Sequence, residues 1–487
     1  MGKLLKQEGH FNVYRIALFL VFLFSFILKL YFSTRYPLIA GMDAGYYVMH
    51  IKDVFLYGYP QVSDPPIAFY LGALFTWLAN DLFLGFKVAI SLFSAAICFP
   101  IYKIAKYVTK DRAVAVFAGF LASFSTSNMF IMGDLFKNTI GLFFGAWFVY
   151  LAVKSIRETS TRNTALAIVA FVLMLGTHFS SSAYLLFSIT PLLLLLPIYN
   201  FMHEKRITTE SLKCFAIIGG IGLAALAVLL LKPGLLGDYS IGPVGLEYLD
   251  DGPPGKSGTI NLNMFSMYSF FSLLAMLGLY SAYRIDPKWA ILFIPWIVVS
   301  FLLTQPMFVD DSWVFRFEMN TYIPIALLAG LGAFYFRKEK AVFYAVMLLM
   351  SLHTLYMFTD SGMQRMPLIS MQEYQALSEF AKAHPGSQIF GPRGGLAYWV
   401  QAAGLETTDD PSPAPGKYAM FSIQAPKPGG MGGASQTPSI TESELRKISE
   451  PGSVAAEFGN FVLVETTGMH KPELADGSSP KPPLPKP

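Results

Sequence analysis

Gly41-Met42-Asp43-Ala44-Gly45-Tyr46-Tyr47 opens the segment between the first two long hydrophobic stretches of the chain, and Asp64-Pro65-Pro66 follows in the same segment. One carboxylate, that of Asp43, therefore lies where the chain leaves its first hydrophobic stretch, between flexible glycines and beside two tyrosines. A lone aspartate in such a place is usually an ordinary surface residue. Once the hydrophobic stretches are counted, further polar residues fall on the same side of a membrane, namely Asp134, Lys137, His178 and Arg316. As a set, these residues indicate a site for a charged substrate at one membrane face.

The composition of the 487 residues is that of a membrane protein. Hydrophobic residues make up 54% of the chain and charged residues 14%, whereas soluble domains carry about a quarter charged residues. Hydrophobic stretches of membrane-spanning length recur from residue 13 to residue 358. This pattern predicts a polytopic α-helical membrane protein. The net charge of +4 is modest, so no nucleic-acid partner is expected.

The positive charges predict how the chain crosses the membrane. Lys3, Lys6 and Arg15 flank the first hydrophobic stretch and place the N-terminus in the cytoplasm. When the more basic loop of each pair is kept inside, the chain has about eleven spans. The predicted spans are 13–32, 86–107, 113–131, 139–153, 165–177, 183–199, 214–231, 264–283, 289–304, 321–336 and 341–358. We therefore expect a multi-pass protein of a prokaryotic cell membrane, with its C-terminal domain outside the cytoplasm.

The apolar segment 67–78 is too short to be one of these spans. Twelve helical residues cover about 18 Å, whereas the hydrocarbon core is about 30 Å thick. If this segment crossed the membrane, the basic cluster that contains Lys103, Lys106 and Lys110 would lie outside. The sequence therefore predicts an interfacial or re-entrant helix on the outer side.

These patterns predict three regions. Residues 1–358 form the membrane domain, with a large first outer loop at 33–85. Residues 359–468 form a small extracytoplasmic α/β domain, with helices at 371–384 and 395–404 and strands at 388–390, 418–423 and 461–465. Residues 469–487 are rich in proline and are expected to be disordered.

Asp43 in its glycine-rich stretch, followed by Pro65-Pro66 and a short apolar segment, resembles the GT-C superfamily of membrane glycosyltransferases. The resemblance covers residues 10–360 at the level of span layout. It implies transfer of a sugar from a polyprenyl (dolichyl or undecaprenyl) phosphate-linked donor to a protein, lipid or glycan acceptor at the outer membrane face. Within the superfamily, the acidic residue of the first outer loop is catalytic or binds a metal ion. By position, Asp43 corresponds to that residue, Asp134 to the acid of the second outer loop, and Arg316 to an arginine that meets the lipid phosphate.

The chemistry of these residue types fits such a reaction. Asp43 is the candidate catalytic residue, since transfer to a hydroxyl requires a carboxylate that takes the acceptor proton. The guanidinium of Arg316 suits phosphate geometry, although it can equally anchor a helix end by snorkelling. His178 can equally cap a helix. The candidate substrate-binding residues are Tyr46, Tyr47, Lys137, His178 and Arg316.

A divalent cation is a further expectation. Carboxylate oxygens on separate loops suit Mg²⁺ or Mn²⁺. The candidate ligands are Asp43, Asp134 and Glu247.

Two branches of the superfamily compete. The monosaccharide-transfer branch, which includes protein mannosyltransferases and the aminoarabinose transferases of lipid A, shares the pattern of Asp43 and Pro65-Pro66. The catalytic subunits of oligosaccharyltransferases add a Trp-Trp-Asp-Tyr-Gly motif in their C-terminal domain. At the comparable place this chain has Tyr398-Trp399 without the acidic core of the motif. Transfer of a lipid-linked oligosaccharide to protein is therefore the alternative function.

A second alternative is a transporter or flippase of lipid-linked sugars without enzymatic activity. Transporters tend to have internal repeats and ionisable groups near the middle of the bilayer. The sequence has no recognisable repeat, and its candidate polar residues cluster at one membrane face. This pattern favours an enzyme.

Overall fold

The computed structural model describes residues 2–62, 64–231, 269–309, 311–392, 394–408, 412, 414–422 and 454–468. The chain forms two compact units, Met1–Arg35 with Ile51–Arg365, and Tyr36–His50 with Met366–Pro487. The segment that carries Asp43 thus belongs to the second unit, although the sequence predicts it as part of an outer loop of the membrane domain.

The first unit is built from helices. Its helices are α1 Gly2–Thr34, α2 Ala44–Tyr57 (which begins in the second unit), α3 Ile67–Ala79, α4 Leu82–Ala96, α5 Cys98–Thr109, α6 Arg112–Ser123, α7 Thr126–Asp134, α8 Phe136–Glu158, α9 Thr161–Leu175, α10 Phe179–Glu204, α11 Thr209–Leu231, α12 Ser269–Ile285, α13 Lys288–Leu303, α14 Asp311–Asn320, α15 Tyr322–Tyr335 and α16 Lys340–Met363.

Helices of membrane-spanning character confirm the predicted class. Within the described ranges, seven helices are long and apolar enough to cross a membrane, and an eighth span results if α6 and α7 are taken as one. Three shorter apolar helices, Thr161–Leu175, Phe271–Ile285 and Lys288–Leu303, coincide with the remaining predicted spans. These three fall below the length of about 20 residues that a span requires. The count of eleven therefore stays a prediction.

The predicted span 113–131 is bent rather than straight. Its two halves, α6 and α7, meet at an angle of 43°. The amide of Asn128 donates hydrogen bonds to the carbonyls of Ala122 (3.1 Å) and Ser123 (3.2 Å). These carbonyls lie at the end of α6, where the helix itself offers no donor, so the Asn128 side chain stabilises the break.

The helix α15 lies in the core of the first unit. All of its residues from Tyr322 to Ala333 are buried. A Cβ atom on Gly332 would overlap the carbonyl of Leu274 in α12, and one on Gly278 would overlap the carbonyl of Leu328 in α15. The two glycines therefore allow the backbones of α12 and α15 to pack in direct contact, as small residues do in membrane helix pairs.

The second unit is a small α/β fold, as predicted. Its further elements are α17 Met371–Ala383, β1 Gln388–Phe390, α18 Gly394–Ala402, β2 Glu406–Thr408, β3 Lys417–Ser422, β4 Val454–Phe458 and β5 Phe461–Glu465. Among the described residues, the strands form one sheet in the order β2-β1-β3-β5-β4. The pairs of β1 with β2 and β3 are parallel, and those of β5 with β3 and β4 are antiparallel. The strands β2 and β4 were not predicted, and the tail 469–487 lies outside the described residues.

Candidate active site

Asp43 lies at the start of a helix instead of inside an irregular loop. Its backbone carbonyl accepts a hydrogen bond from the amide of Tyr47 (3.2 Å), which is the first helical hydrogen bond of α2. The side chain of Asp43 is half-buried. The amino end of a helix stabilises a negative charge, so the position suits an ionised carboxylate.

Two glycines hold this segment directly against α18 within the second unit. A Cβ atom on Gly45 would lie 2.6 Å from the amide nitrogen of Trp399 and 2.8 Å from the carbonyl carbon of Tyr398. A Cβ atom on Gly395 would overlap the carbonyl oxygen of Met42. Because a side chain fits at neither position, the backbone on both sides of Asp43 packs on the backbone of α18.

Aromatic rings surround the same contact. The ring of Tyr46 lies 5.1 Å from that of Tyr398 and 4.5 Å from that of His50, both in edge-to-face geometry. Tyr46 is half-buried, whereas the side chain of Tyr47 is only 2% exposed. The structure therefore uses Tyr47 for packing, and the substrate-binding role of both tyrosines stays a prediction.

Lys137 lies in the first turn of α8, although the sequence predicts a loop there. A single residue, Leu135, separates α7 from α8. The ammonium group of Lys137 forms an ion pair with the carboxylate of Asp64 and lies 5.8 Å from the ring centre of Phe69. Both members of the pair are largely buried, so the positive charge of Lys137 is locally balanced.

His178 caps the helix α10, as one of its two predicted roles requires. Its Nδ1 atom accepts a hydrogen bond from the amide of Ser181 (3.2 Å), so this nitrogen carries no proton. Burial, and after it the positive charge of Lys137, lowers the pKa of His178 well below its ordinary value. The imidazole is therefore neutral at pH 7.

Arg316 lies on the short helix α14, between the predicted spans 289–304 and 321–336. The central carbon of its guanidinium lies over the indole of Trp313, 5.1 Å from the ring centre, in a cation–π contact. The charges of Arg316, Lys137 and Asp64 all act on the His178 ring. The structure thus brings three of the predicted residues, Lys137, His178 and Arg316, into one electrostatic neighbourhood of the first unit.

Asp134 is the last residue of α7 and forms an ion pair that the sequence did not predict. Its carboxylate accepts a hydrogen bond from the guanidinium of Arg365 (3.0 Å). Sequence reasoning missed both Arg365 and the role of Asp64. Asp64 had a signal, since it precedes Pro65-Pro66 in the stretch that indicates the superfamily, whereas Arg365 follows the last predicted span without any motif.

Comparison with known proteins shows which solved structures share this architecture. A family model described as a 6-pyruvoyl-tetrahydropterin synthase related domain and membrane protein matches residues 65–241. No curated protein matches the chain significantly. Crystal structures of ArnT from Cupriavidus metallidurans match 95% (apo) and 94% (bound to undecaprenyl phosphate) of this chain and 98% of their own. Their TM-scores are 0.55 and 0.56, at 11% sequence identity. The oligosaccharyltransferase of Archaeoglobus fulgidus, crystallised with Zn and sulfate, has a TM-score of 0.56 at 14% identity over 81% of this chain.

The chain has the GT-C fold. The fold that the resemblance implied is thereby confirmed. The chain spans 62% of the length of the archaeal oligosaccharyltransferase. Identities of 11–14% support the fold alone.

The three predicted cation ligands are distributed over separate parts of the chain. Glu247 lies outside the described residues, Asp43 belongs to the second unit, and Asp134 is already paired with Arg365. Within the described ranges, His, Cys, Asp and Glu side chains do not gather in groups of three or more that could hold a metal ion. The bound divalent cation therefore stays a prediction from the sequence.

Proposed function

We propose that this GT-C chain is a membrane glycosyltransferase that moves a sugar from a polyprenyl-phosphate-linked donor to a hydroxyl group of a protein, lipid or glycan acceptor. The observation that carries the proposal is the match to ArnT along 94–95% of the chain. One of these ArnT structures is bound to undecaprenyl phosphate, which supports a donor of the same lipid class.

The charges of the first unit support binding of the donor phosphate. Lys137 and Arg316 carry one positive charge each, Asp64 carries one negative charge, and His178 is neutral. These four side chains together carry one net positive charge. Since Asp64 balances Lys137, the planar guanidinium of Arg316 is the group that we assign to the phosphate oxygens.

Asp43 is assigned the role of general base. In the proposed step, the acceptor oxygen forms a bond to the anomeric carbon of the sugar. The bond from that carbon to the phosphate oxygen breaks, and the electron pair leaves with the polyprenyl phosphate. Asp43 takes the proton of the acceptor hydroxyl, so the reaction needs no covalent enzyme intermediate. No part of this step is assigned to a divalent cation.

Oligosaccharide transfer to asparagine is the second candidate. One observation favours it, since α18 carries Tyr398-Trp399 and packs directly on the segment of Asp43. Transfer to a hydroxyl is favoured nonetheless, because the acidic core of the oligosaccharyltransferase motif is missing from this chain.

The proposal is tested with the purified protein in detergent, polyprenyl-phosphate-linked sugars that carry a radiolabel, and a membrane extract as the source of acceptors. We expect label to move to acceptors in the extract, with release of polyprenyl phosphate. Because detergent permits no membrane gradient, this transfer would be enzymatic activity and not transport. Asp43→Asn should lower the rate by about 10²–10⁴-fold, the usual loss for a positioned general base.

Asp53→Asn is the matched control. Asp53 lies on α2, the helix that Asp43 directly precedes, and its carboxylate accepts a hydrogen bond from the amide of Gln61 (3.2 Å), which an asparagine oxygen can also accept. The transfer rate of Asp53→Asn should stay close to that of the wild type.

If sugar lipids instead crossed the bilayer of reconstituted vesicles and no label reached an acceptor, the protein would be a flippase.

A further inference from the structure

Asp134 lies where a carboxylate is unfavourable without a partner. It is the last residue of α7, and the carboxyl end of a helix carries a partial negative charge. Its side chain is 17% exposed, so water screens this repulsion only in part. A positive charge must therefore balance Asp134 in the folded protein.

One face of α7 is shaped to receive a guanidinium. Phe130, Gly133 and Asp134 lie three and four residues apart and so share a helix face. The guanidinium of Arg365 lies 4.5 Å from the ring centre of Phe130 and bonds to the carboxylate of Asp134 at 3.0 Å. Gly133 leaves the necessary space, since a Cβ atom there would overlap the Nη1 atom of Arg365. The ring, the gap and the carboxylate together hold the guanidinium on α7.

This contact buries the side chain of Arg365. Its side chain is 12% exposed, and its Nε atom is buried without a hydrogen-bond partner among the described residues. A second ligand of Asp134, such as a metal ion, would have to displace the guanidinium. The arginine also follows the end of α16 closely, where Arg35 donates hydrogen bonds to the carbonyls of Gly362 (3.4 Å) and Met363 (3.0 Å). Two arginines therefore fix the last turn of α16 within the first unit.

We infer that Arg365 is the built-in countercharge of Asp134 and takes the place that a divalent cation would need at this carboxylate. Asp134 is then a positioning residue, which fixes the end of α16 on α7 and ligates no metal. The transfer rates expected below rest on the proposed function. The expected changes in thermal stability and metal binding do not depend on the proposed function.

The test compares Asp134→Leu, Arg365→Met and the double variant that combines them. Each single substitution leaves one buried charge without its partner, so each should lower the Tm of the purified protein by roughly 5 °C or more. The double variant replaces the pair by apolar side chains of similar size, and its Tm should return close to that of the wild type. Its transfer rate should recover to within about threefold of the wild type, because the two positions act as one unit.

Direct metal binding supplies a readout without transfer. Free Mn²⁺ is measured by electron paramagnetic resonance in the presence of the wild type and of Asp134→Leu. The two proteins should bind equal amounts. Arg206→Met is the control for loss of an arginine–carboxylate pair, because Arg206 and its partner Glu204 (3.4 Å) are 78% and 40% exposed. It should change the Tm little.

Three results would overturn the inference. The first is a bound Mn²⁺ that is lost in Asp134→Leu, and the second is single variants as stable as the wild type. The third is a double variant that is stable but inactive, since Asp134 would then act in the reaction itself. If the wild type shows no transfer, the proposed function fails, and the Tm values and Mn²⁺ binding still decide the role of the pair.

Discussion

At the scale of single residues, Lys137 and Arg316 are not equivalent cations. Lys137 is balanced by Asp64 in a largely buried pair. Arg316 is half-buried, and its guanidinium lies over the indole of Trp313. The guanidinium is planar and keeps its donors in one plane, which suits the oxygens of a phosphate.

Arg316→Lys tests whether this geometry is used. The charge is kept but the forked pair of donors is lost, so KM for the lipid-linked donor should rise about tenfold, the loss of one charge-assisted hydrogen bond. KM for the acceptor should barely change. Steady-state kinetics with donor and acceptor varied separately provide the measurement. If Arg316 is only a helix-end anchor, lysine will snorkel equally well and both constants will stay as they are.

Lys29 is a buried charge of a different kind. It lies in α1, its side chain is fully buried, and its Nζ atom has no hydrogen-bond partner in the described part of the chain. The ring of Phe358 lies 5.8 Å away. An unsatisfied buried donor costs stability, so Lys29→Met should raise the free energy of unfolding by about 1–3 kcal/mol.

Thermal unfolding of the purified protein in detergent measures this change. Lys103→Met serves as the control, since Lys103 is exposed and a surface substitution should alter stability by about 0.5 kcal/mol at most. A lower Tm for Lys29→Met would mean that the ammonium makes a favourable contact that outweighs its burial.

At the scale of elements, the sequence predicted those features that depend on length and local pattern. The apolar segment 67–78 was correctly predicted as a short helix, because its length cannot cover the hydrocarbon core. The polar residues around Asp134 were wrongly predicted as a loop, since hydropathy does not distinguish a one-residue corner between two helices from a longer connection. The two ion pairs could not be predicted from the sequence, because their members are far apart along the chain. Asp134 and Arg365 are 231 residues apart in sequence, and Asp64 and Lys137 are 73 apart.

The contact of α2 with α18 leads to a prediction for Gly45. In Gly45→Ala, the added methyl group would meet backbone atoms of Tyr398 and Trp399, which cannot rotate away as a side chain can. The segment of Asp43 must then shift, and displacement of a catalytic group by about 1 Å can cost 10²-fold in rate. We expect a loss of this order in the transfer assay, with a lower Tm.

Gly219→Ala is the matched control for this substitution. A Cβ atom on Gly219 meets no other atom within 4 Å, and alanine favours the helix that contains it. Its activity and Tm should be equal to or slightly above those of the wild type. Equal effects of the two substitutions would show that the contact with α18 does not position Asp43.

At the scale of the whole molecule, the division of the chain is discontinuous. The second unit combines Tyr36–His50 with the C-terminal part from Met366. Composition alone predicts a boundary only where hydropathy changes, near residue 358, and cannot assign a short segment between hydrophobic stretches to a domain that begins more than 300 residues later. The membrane-spanning character of the first unit, by contrast, follows directly from composition.

The orientation of the chain in the membrane is the remaining prediction at this scale. Arg206 and Lys382 are both exposed and are separated by five predicted spans, 214–231, 264–283, 289–304, 321–336 and 341–358. An odd number of spans places the two residues on opposite sides, with the basic loop around Arg206 in the cytoplasm.

Cysteine labelling tests this orientation. Native Cys98 and Cys214 are free but buried, so single cysteines at the two sites can be labelled above a low background. A membrane-impermeant maleimide should label Lys382→Cys in intact cells and Arg206→Cys only after permeabilisation. Labelling of both from the same side would contradict the count, because one of the shorter helices, α12 or α13, would then fail to cross the membrane.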